Sequence, residues 1–181
     1  MWNSWSLHPN TYLLIDKLLK PGQTILELGS GESTRILSEK YNVISIEHDE
    51  KYIGVHKSHY IYAPLKPIKP TGEFPSCAEW YDSDVIKREV PNLKYDLMII
   101  DGPIAGTRCG LRKYHDLFNF DVPVIMDDSQ RDYVWKLLVI VSRPYAKESN
   151  ILTFRCFEPN NRKMYSLWVP DRLKGCLRDL L

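Results

Sequence analysis

The chain has no excess charge of either sign: 24 lysines and arginines stand against 23 aspartates and glutamates, for a formal net charge of +1. A balance that even gives no field for gathering a polyanion, so neither nucleic acid nor a membrane surface is an expected partner. Long apolar runs are missing too. The longest are strand-sized, and the opening MWNSWSLHPN has neither a basic region nor an apolar signal core, which argues for a cytoplasmic protein. Cysteine is scarce and scattered: Cys77, Cys109, Cys156 and Cys176 form no C-x-x-C pair and read as reduced thiols. There is no repeat and no low-complexity tract. The 181 residues, 44% hydrophobic and 26% charged, suit a single domain (1–181) with one substantial core.

The chain is organised around Gln23 to Glu47, QTILELGSGESTRILSEKYNVISIE. An apolar run from Thr24 to Leu28 predicts a strand, Gly29-Ser30-Gly31 a tight turn, Glu32-Ser33-Thr34 the entry to a helix, and Val43 to Ile46 a second strand. That is one βαβ unit. The glycines let backbone approach a ligand, and the helix start aims free N–H groups at the same place. Glu47, at the end of the second strand, can accept the hydroxyls of a ribose. A nucleoside-containing ligand follows, and charge narrows it further. Thr34 fills the position where a dinucleotide fingerprint needs glycine or alanine, and Glu27 would repel a pyrophosphate but attract an ammonium and a sulfonium.

The E-x-G-x-G pattern with Ser33 in place of a third glycine resembles motif I of the class I S-adenosylmethionine-dependent methyltransferases, more narrowly the subgroup whose turn reads GSGxST. The resemblance implies that Glu27 and the Gly29-Ser30-Gly31 turn, with Ser33 and Thr34, hold the methionine end of the cofactor. Glu47, with His48 beside it, would then hold the ribose. It also implies a Rossmann-like α/β fold with a mostly parallel seven-stranded sheet, helices on both faces and a C-terminal β-hairpin.

Around this unit the remaining elements fall into order. Leucines at helical spacing between Pro9 and Pro21 predict an N-terminal helical segment (1–22) that covers the sheet edge or the cofactor mouth, with Trp2 and Trp5 packed on the body. Asp49 to His59 is polar enough for a surface helix, and Tyr60 to Ala63 for a third strand. His48, His56 and His59 have no cysteine or fixed carboxylate nearby and make a poor zinc site. Pro64, Pro67, Pro70 and Pro75 predict a stiff, irregular loop that, with a short helix from Asp82 to Glu89, forms a substrate-side segment (64–95). Trp80 and Tyr81 in this segment stack on adenine, wall the acceptor pocket or anchor the loop.

Asp96 to Ile100 is apolar on both faces, as an interior parallel strand should be, and ends in Asp101-Gly102-Pro103. In the resemblance Asp101 lies next to the transferable methyl group. A helix is expected from about Gly110 to Phe120, and Arg108 either reaches back over the site or is solvated. A fifth strand, Val122 to Met126, ends in Asp127-Asp128-Ser129. Adjacent carboxylates need a partner, and Asp128 or Ser129 could also cap the next helix. In the resemblance Asp101, Asp127 and Asp128 occupy the places where metal-dependent O-methyltransferases hold magnesium, and DGP…R…DD…R is similar to glycan O-methyltransferases. Ile151–Phe157 and Met164–Val169 predict a hairpin about Pro159-Asn160-Asn161. The leucines after Asp171 pack on the sheet or on a second subunit, which allows a homodimer.

The expected reaction is methyl transfer from S-adenosylmethionine to an oxygen nucleophile of a small molecule or glycan. Asp101 and Asp128 are the candidate bases or ligands of a divalent magnesium or manganese ion, with Arg108 as their partner. The alternatives are a cofactor-binding module without chemistry and a nucleic-acid methyltransferase.

Overall fold

A computed structural model describes residues 7–104, 106–145, 150–158 and 161–179. Trp2, Trp5 and the hairpin tip at Pro159 and Asn160 lie outside them. Seven strands form one sheet: β1 (Thr24–Leu28), β2 (Asn42–Glu47), β3 (His59–Tyr62), β6 (Leu97–Ile100), β7 (Val124–Met126), β8 (Ile151–Glu158) and β9 (Asn161–Trp168). Their order is β3-β2-β1-β6-β7-β9-β8, the first five parallel and the β8–β9 hairpin antiparallel at one edge.

Side chains alternate across this sheet and divide the core in two. On one face Ile25, Val43, Leu97, Ile99 and Ile125 meet Leu14 and Ile15 of α1 (Pro9–Leu18) and Leu37 of α2 (Glu32–Leu37). On the other, Leu26, Ile46, Met98, Ile100 and Val124 meet Ile86 of α3 (Ser83–Glu89) and Val134, Leu137 and Leu138 of α5 (Asp132–Ser142). The helices on both faces and the C-terminal hairpin are as the sequence predicts. Pro9 starts α1, where its missing N–H is no loss, and α1 ends at Leu18, before Pro21.

Four expectations change. Of the helix expected from Asp49 to His59 there is only a 3-10 turn at Glu50–Tyr52, and His59 already belongs to β3, because without apolar periodicity nothing draws a helix onto the sheet. The helix expected to reach Phe120 is α4 (Leu111–Tyr114), one turn long between the 3-10 turns Arg108–Gly110 and His115–Leu117. The proline-rich stretch is not wholly irregular: β4 (Leu65–Pro67) and β5 (Glu79–Tyr81) pair as a small antiparallel ribbon, with Pro67 at its end. Neither Asp128 nor Ser129 caps α5, whose N-cap is Arg131 with no side-chain cap bond.

The ribbon also settles the aromatic pair. Trp80 and Tyr81 are fully buried, and Tyr81 donates its hydroxyl to the Ile46 carbonyl at 3.1 Å, so both anchor the loop. Trp80 packs so tightly on Gly110 that a Cβ there would lie 2.7 Å from the tryptophan, which fixes the turn carrying Arg108.

Candidate functional site

By alternation Glu27, Asp101 and Asp127 follow Ile25, Ile99 and Ile125, so all three project to the α1/α2 face at or just past the carboxyl ends of neighbouring strands. β9 runs antiparallel to β7, which brings its early residue Lys163 to the same end.

Two connected hollows open there. The smaller is lined by Leu7, Glu27, Gly29, Gly31, Ser33 and Asp101, among others. The larger, about 980 Å³, continues past Glu47, His48 and Asp101 to Arg108, Asp128, Arg131 and Lys163. That is room for a nucleoside and a small second reactant together. Gly29, Ser30, Gly31 and Asp101 line both.

Glu27 is buried beneath the glycine turn. Its Oε1 accepts hydrogen bonds from Thr34 Oγ1 at 2.6 Å and Ser45 Oγ at 2.5 Å. Burial outweighs these bonds and pushes its pKa up to about 8. Thr34 does not line either hollow; its hydroxyl lies behind the turn, where it also accepts from the Gly31 amide at 2.9 Å. Ser33 Oγ accepts the Leu7 amide at 2.9 Å, so the segment before α1 closes over the small hollow.

Glu47 ties the turn to β2. Oε2 accepts from the Ser30 amide at 2.7 Å and its hydroxyl at 2.9 Å, while Oε1 accepts from the His48 and Asp49 amides at 2.6 and 2.8 Å and lies 2.8 Å from His48 Nδ1. Burial alone would raise this carboxyl, but the donors from His48, Asp49 and Ser30 prevail and hold it below the usual range. A ribose here would take the place of the Ser30 hydroxyl rather than meet a bare carboxylate.

At the far end Asp101, Asp127 and Asp128 bring one oxygen each within 4.8 Å of one another, and no other group of three potential metal ligands occurs among the described residues. The convergence the sequence suggests is there, and so are its counter-ions. Lys163 Nζ lies 2.8 Å from Asp127 Oδ2, and Arg131 Nη2 lies 3.1 Å from Asp128 Oδ2. Arg108, buried rather than solvated, donates to the carbonyls of Asp127 and Asp101, and its Nη2 lies 3.4 Å from Asp101 Oδ1 and 3.7 Å from Asp128 Oδ2. Burial pushes Asp101 upward against the pull of Arg108 and Lys163, and pushes Asp127 up to about 7. Among the described side chains three cationic groups face three carboxyls, of which burial favours the neutral form in Asp101 and Asp127. A divalent cation bound to Asp127 would have to displace Lys163 and sit among these cations, so the residues as arranged do not fit a metal.

Lys163 escapes sequence reading because the hairpin strand is expected to begin one residue later. The signal was its parity with Tyr165 and Leu167: a lysine on the buried face of a strand needs an anionic partner. Ser45, the second donor to Glu27, carried no signal at all. Residues 64–95, expected to face the substrate, contribute nothing to the lining of the large hollow.

No family model and no curated protein sequence matches the chain. Solved structures do. An O-methyltransferase from Bacillus cereus in complex with SAH aligns over 93% of this chain and 84% of its own at 15% identity, with a TM-score of 0.59. The O-methyltransferase TomG from Streptomyces achromogenes, in complex with SAM, aligns over 90% and 79% at 13% identity and 0.55. A human methyltransferase 10 domain containing protein aligns over 88% and 80% at 12% identity and 0.53. The fold is that of the class I methyltransferases. Identities this low speak to the fold and leave the chemistry to the site.

Proposed function

We propose that this protein transfers a methyl group from S-adenosylmethionine to an oxygen nucleophile of a small molecule or glycan. The observation that carries the reading is Glu27, a buried carboxyl at the floor of a hollow walled by the Gly29–Gly31 turn. A phosphate there would find no counter-charge and would hold Glu27 in its neutral form, whereas the ammonium of a methionine moiety would ionise Glu27 and pair with it. The neighbouring solved structures that hold SAH or SAM support the same choice.

In this reading the adenosine lies along Ser30, Glu47 and His48, and the sulfonium points to Asp101, where the two hollows join. The acceptor oxygen attacks the methyl carbon in line with the breaking S–C bond, whose electron pair returns to sulfur and leaves neutral S-adenosylhomocysteine. The acceptor's proton passes to Asp101, which lines both hollows and whose carboxyl burial pushes upward, making it a better proton acceptor than a solvated aspartate. Arg108, bonded to the Asp101 carbonyl and close to its carboxylate, holds that side chain in place. No step uses a metal.

Thermal shift with S-adenosylhomocysteine and with NAD tests the cofactor. Stabilisation by the first alone is expected, and equal stabilisation by NAD, or none by either, overturns the assignment. A binding module without chemistry would pass this test and show no turnover in any acceptor screen.

A further inference from the structure

Carboxylates at two adjacent strand ends are a common way to hold a divalent cation, yet this cluster, in which Asp127 alone is fully buried, is closed by three cationic side chains from three different parts of the chain: Arg108 from the turn after β6, Arg131 at the start of α5, and Lys163 from the C-terminal hairpin. They are not equivalent. Arg108 is committed to two backbone carbonyls, and Arg131 is partly exposed at the rim. Lys163 is 5% exposed, lies closest to a carboxylate of the three, and still borders the large hollow.

We propose that Lys163 is the resident cation of this site: its ammonium occupies the place beside Asp127 that a divalent ion would need, so the cluster is refractory to metal and works without one. Charge argues for it, since a divalent ion would enter a site where Arg108, Arg131 and Lys163 already face the carboxylates. Topology argues for it as well. Lys163 arrives on β9, which pairs directly with β7, so its backbone is held by the sheet that positions Asp127. The consequence for methyl transfer, a reaction indifferent to chelators, rests on the function proposed above. The metal-refractory cluster itself does not.

Titrating manganese into the ligand-free protein, with free ion followed by electron paramagnetic resonance, is expected to reveal no saturable site below roughly millimolar concentration. Lys163→Met removes the positive charge beside Asp127, and should bind manganese at least about tenfold more tightly than the unaltered protein. Lys163→Arg should stay refractory. If Lys163→Met does not fold, Lys163→Gln, which keeps a polar head beside Asp127, takes its place. Saturable manganese binding by the unaltered protein that disappears in Asp127→Asn overturns the proposal, and so does a folded neutral variant that gains no binding. Calorimetry with S-adenosylhomocysteine on the same samples reports separately on the cofactor. Its failure to bind, with manganese behaving as expected, removes the methyl-transfer reading and leaves Lys163 as the resident cation.

Discussion

Gly29 and Gly102, at the carboxyl ends of adjacent strands, touch through their backbones: a Cβ on Gly102 would lie 2.7 Å from Gly29 Cα and 2.7 Å from the Tyr81 hydroxyl. Gly29 itself has φ +91°, a conformation open to glycine and strained for other residues. The glycine turn and the strand end that carries Asp101 are therefore fitted to one another. Gly102→Ala should lower stability by about 1 to 3 kcal/mol, and because the turn must shift, should weaken S-adenosylhomocysteine binding too. Denaturant melts and calorimetry on the variant check both.

Glu27 gives the binding a pH signature. Its pKa of about 8 in the ligand-free protein means that most of it is protonated at pH 7, and pairing with an ammonium ionises it. Binding at pH 7 should then release close to one proton, and affinity should rise with pH until about 8 and level off. Calorimetry in buffers of different ionisation enthalpy counts the proton. Glu27→Gln should bind more weakly and release none.

The same group sets a stability trend without ligand. A carboxyl raised from 4.5 to about 8 contributes stability that is fully present below 4.5 and is lost as pH rises through 8. Asp127, raised from 3.8 to about 7, acts in the same sense. The ligand-free protein should lose stability between about pH 5 and 8, by up to roughly 1.4 kcal/mol per pH unit for each group, and melts across that range measure it. Stability rising over this window would place the ionised form of Glu27 in the fold.

Glu47 serves both the turn and the proposed ribose. Glu47→Ala should weaken S-adenosylhomocysteine by about 1 to 3 kcal/mol while also lowering the melting temperature, because Ser30 loses its partner. Ser30→Ala removes only the hydroxyl a ribose would displace, and should leave affinity within about twofold. A large loss in Ser30→Ala would mean that the hydroxyl itself binds the cofactor.

Once an acceptor emerges from a screen, Asp101→Asn should lower kcat by roughly a hundredfold or more, with S-adenosylhomocysteine affinity nearly intact. Trp80→Ala should behave in the opposite way. It empties a fully buried site against Gly110, so about 3 to 5 kcal/mol of stability should go while the folded fraction keeps its cofactor affinity. Selective loss of affinity in Trp80→Ala would return the indole to the adenine.

Local pattern was enough to read the strand-turn-helix from Thr24 to Leu37, the apolar strand ending at Asp101 and the C-terminal hairpin, because period and turn chemistry act over a few residues and those segments hold little else. The acid ahead of the glycine turn was legible as a site candidate in the same way, and Glu27 does line the small hollow. Only the tertiary structure decided what surrounds the acids. The ribbon of β4 and β5 needs a partner across the intervening loop, Trp80 finds Gly110 from 30 positions away, and Lys163 reaches Asp127 only through β7–β9 pairing. The same carboxylates read as a metal site or as a closed ion-pair cluster according to which cations the fold delivers, and that depends on contacts across the sheet that no local window contains.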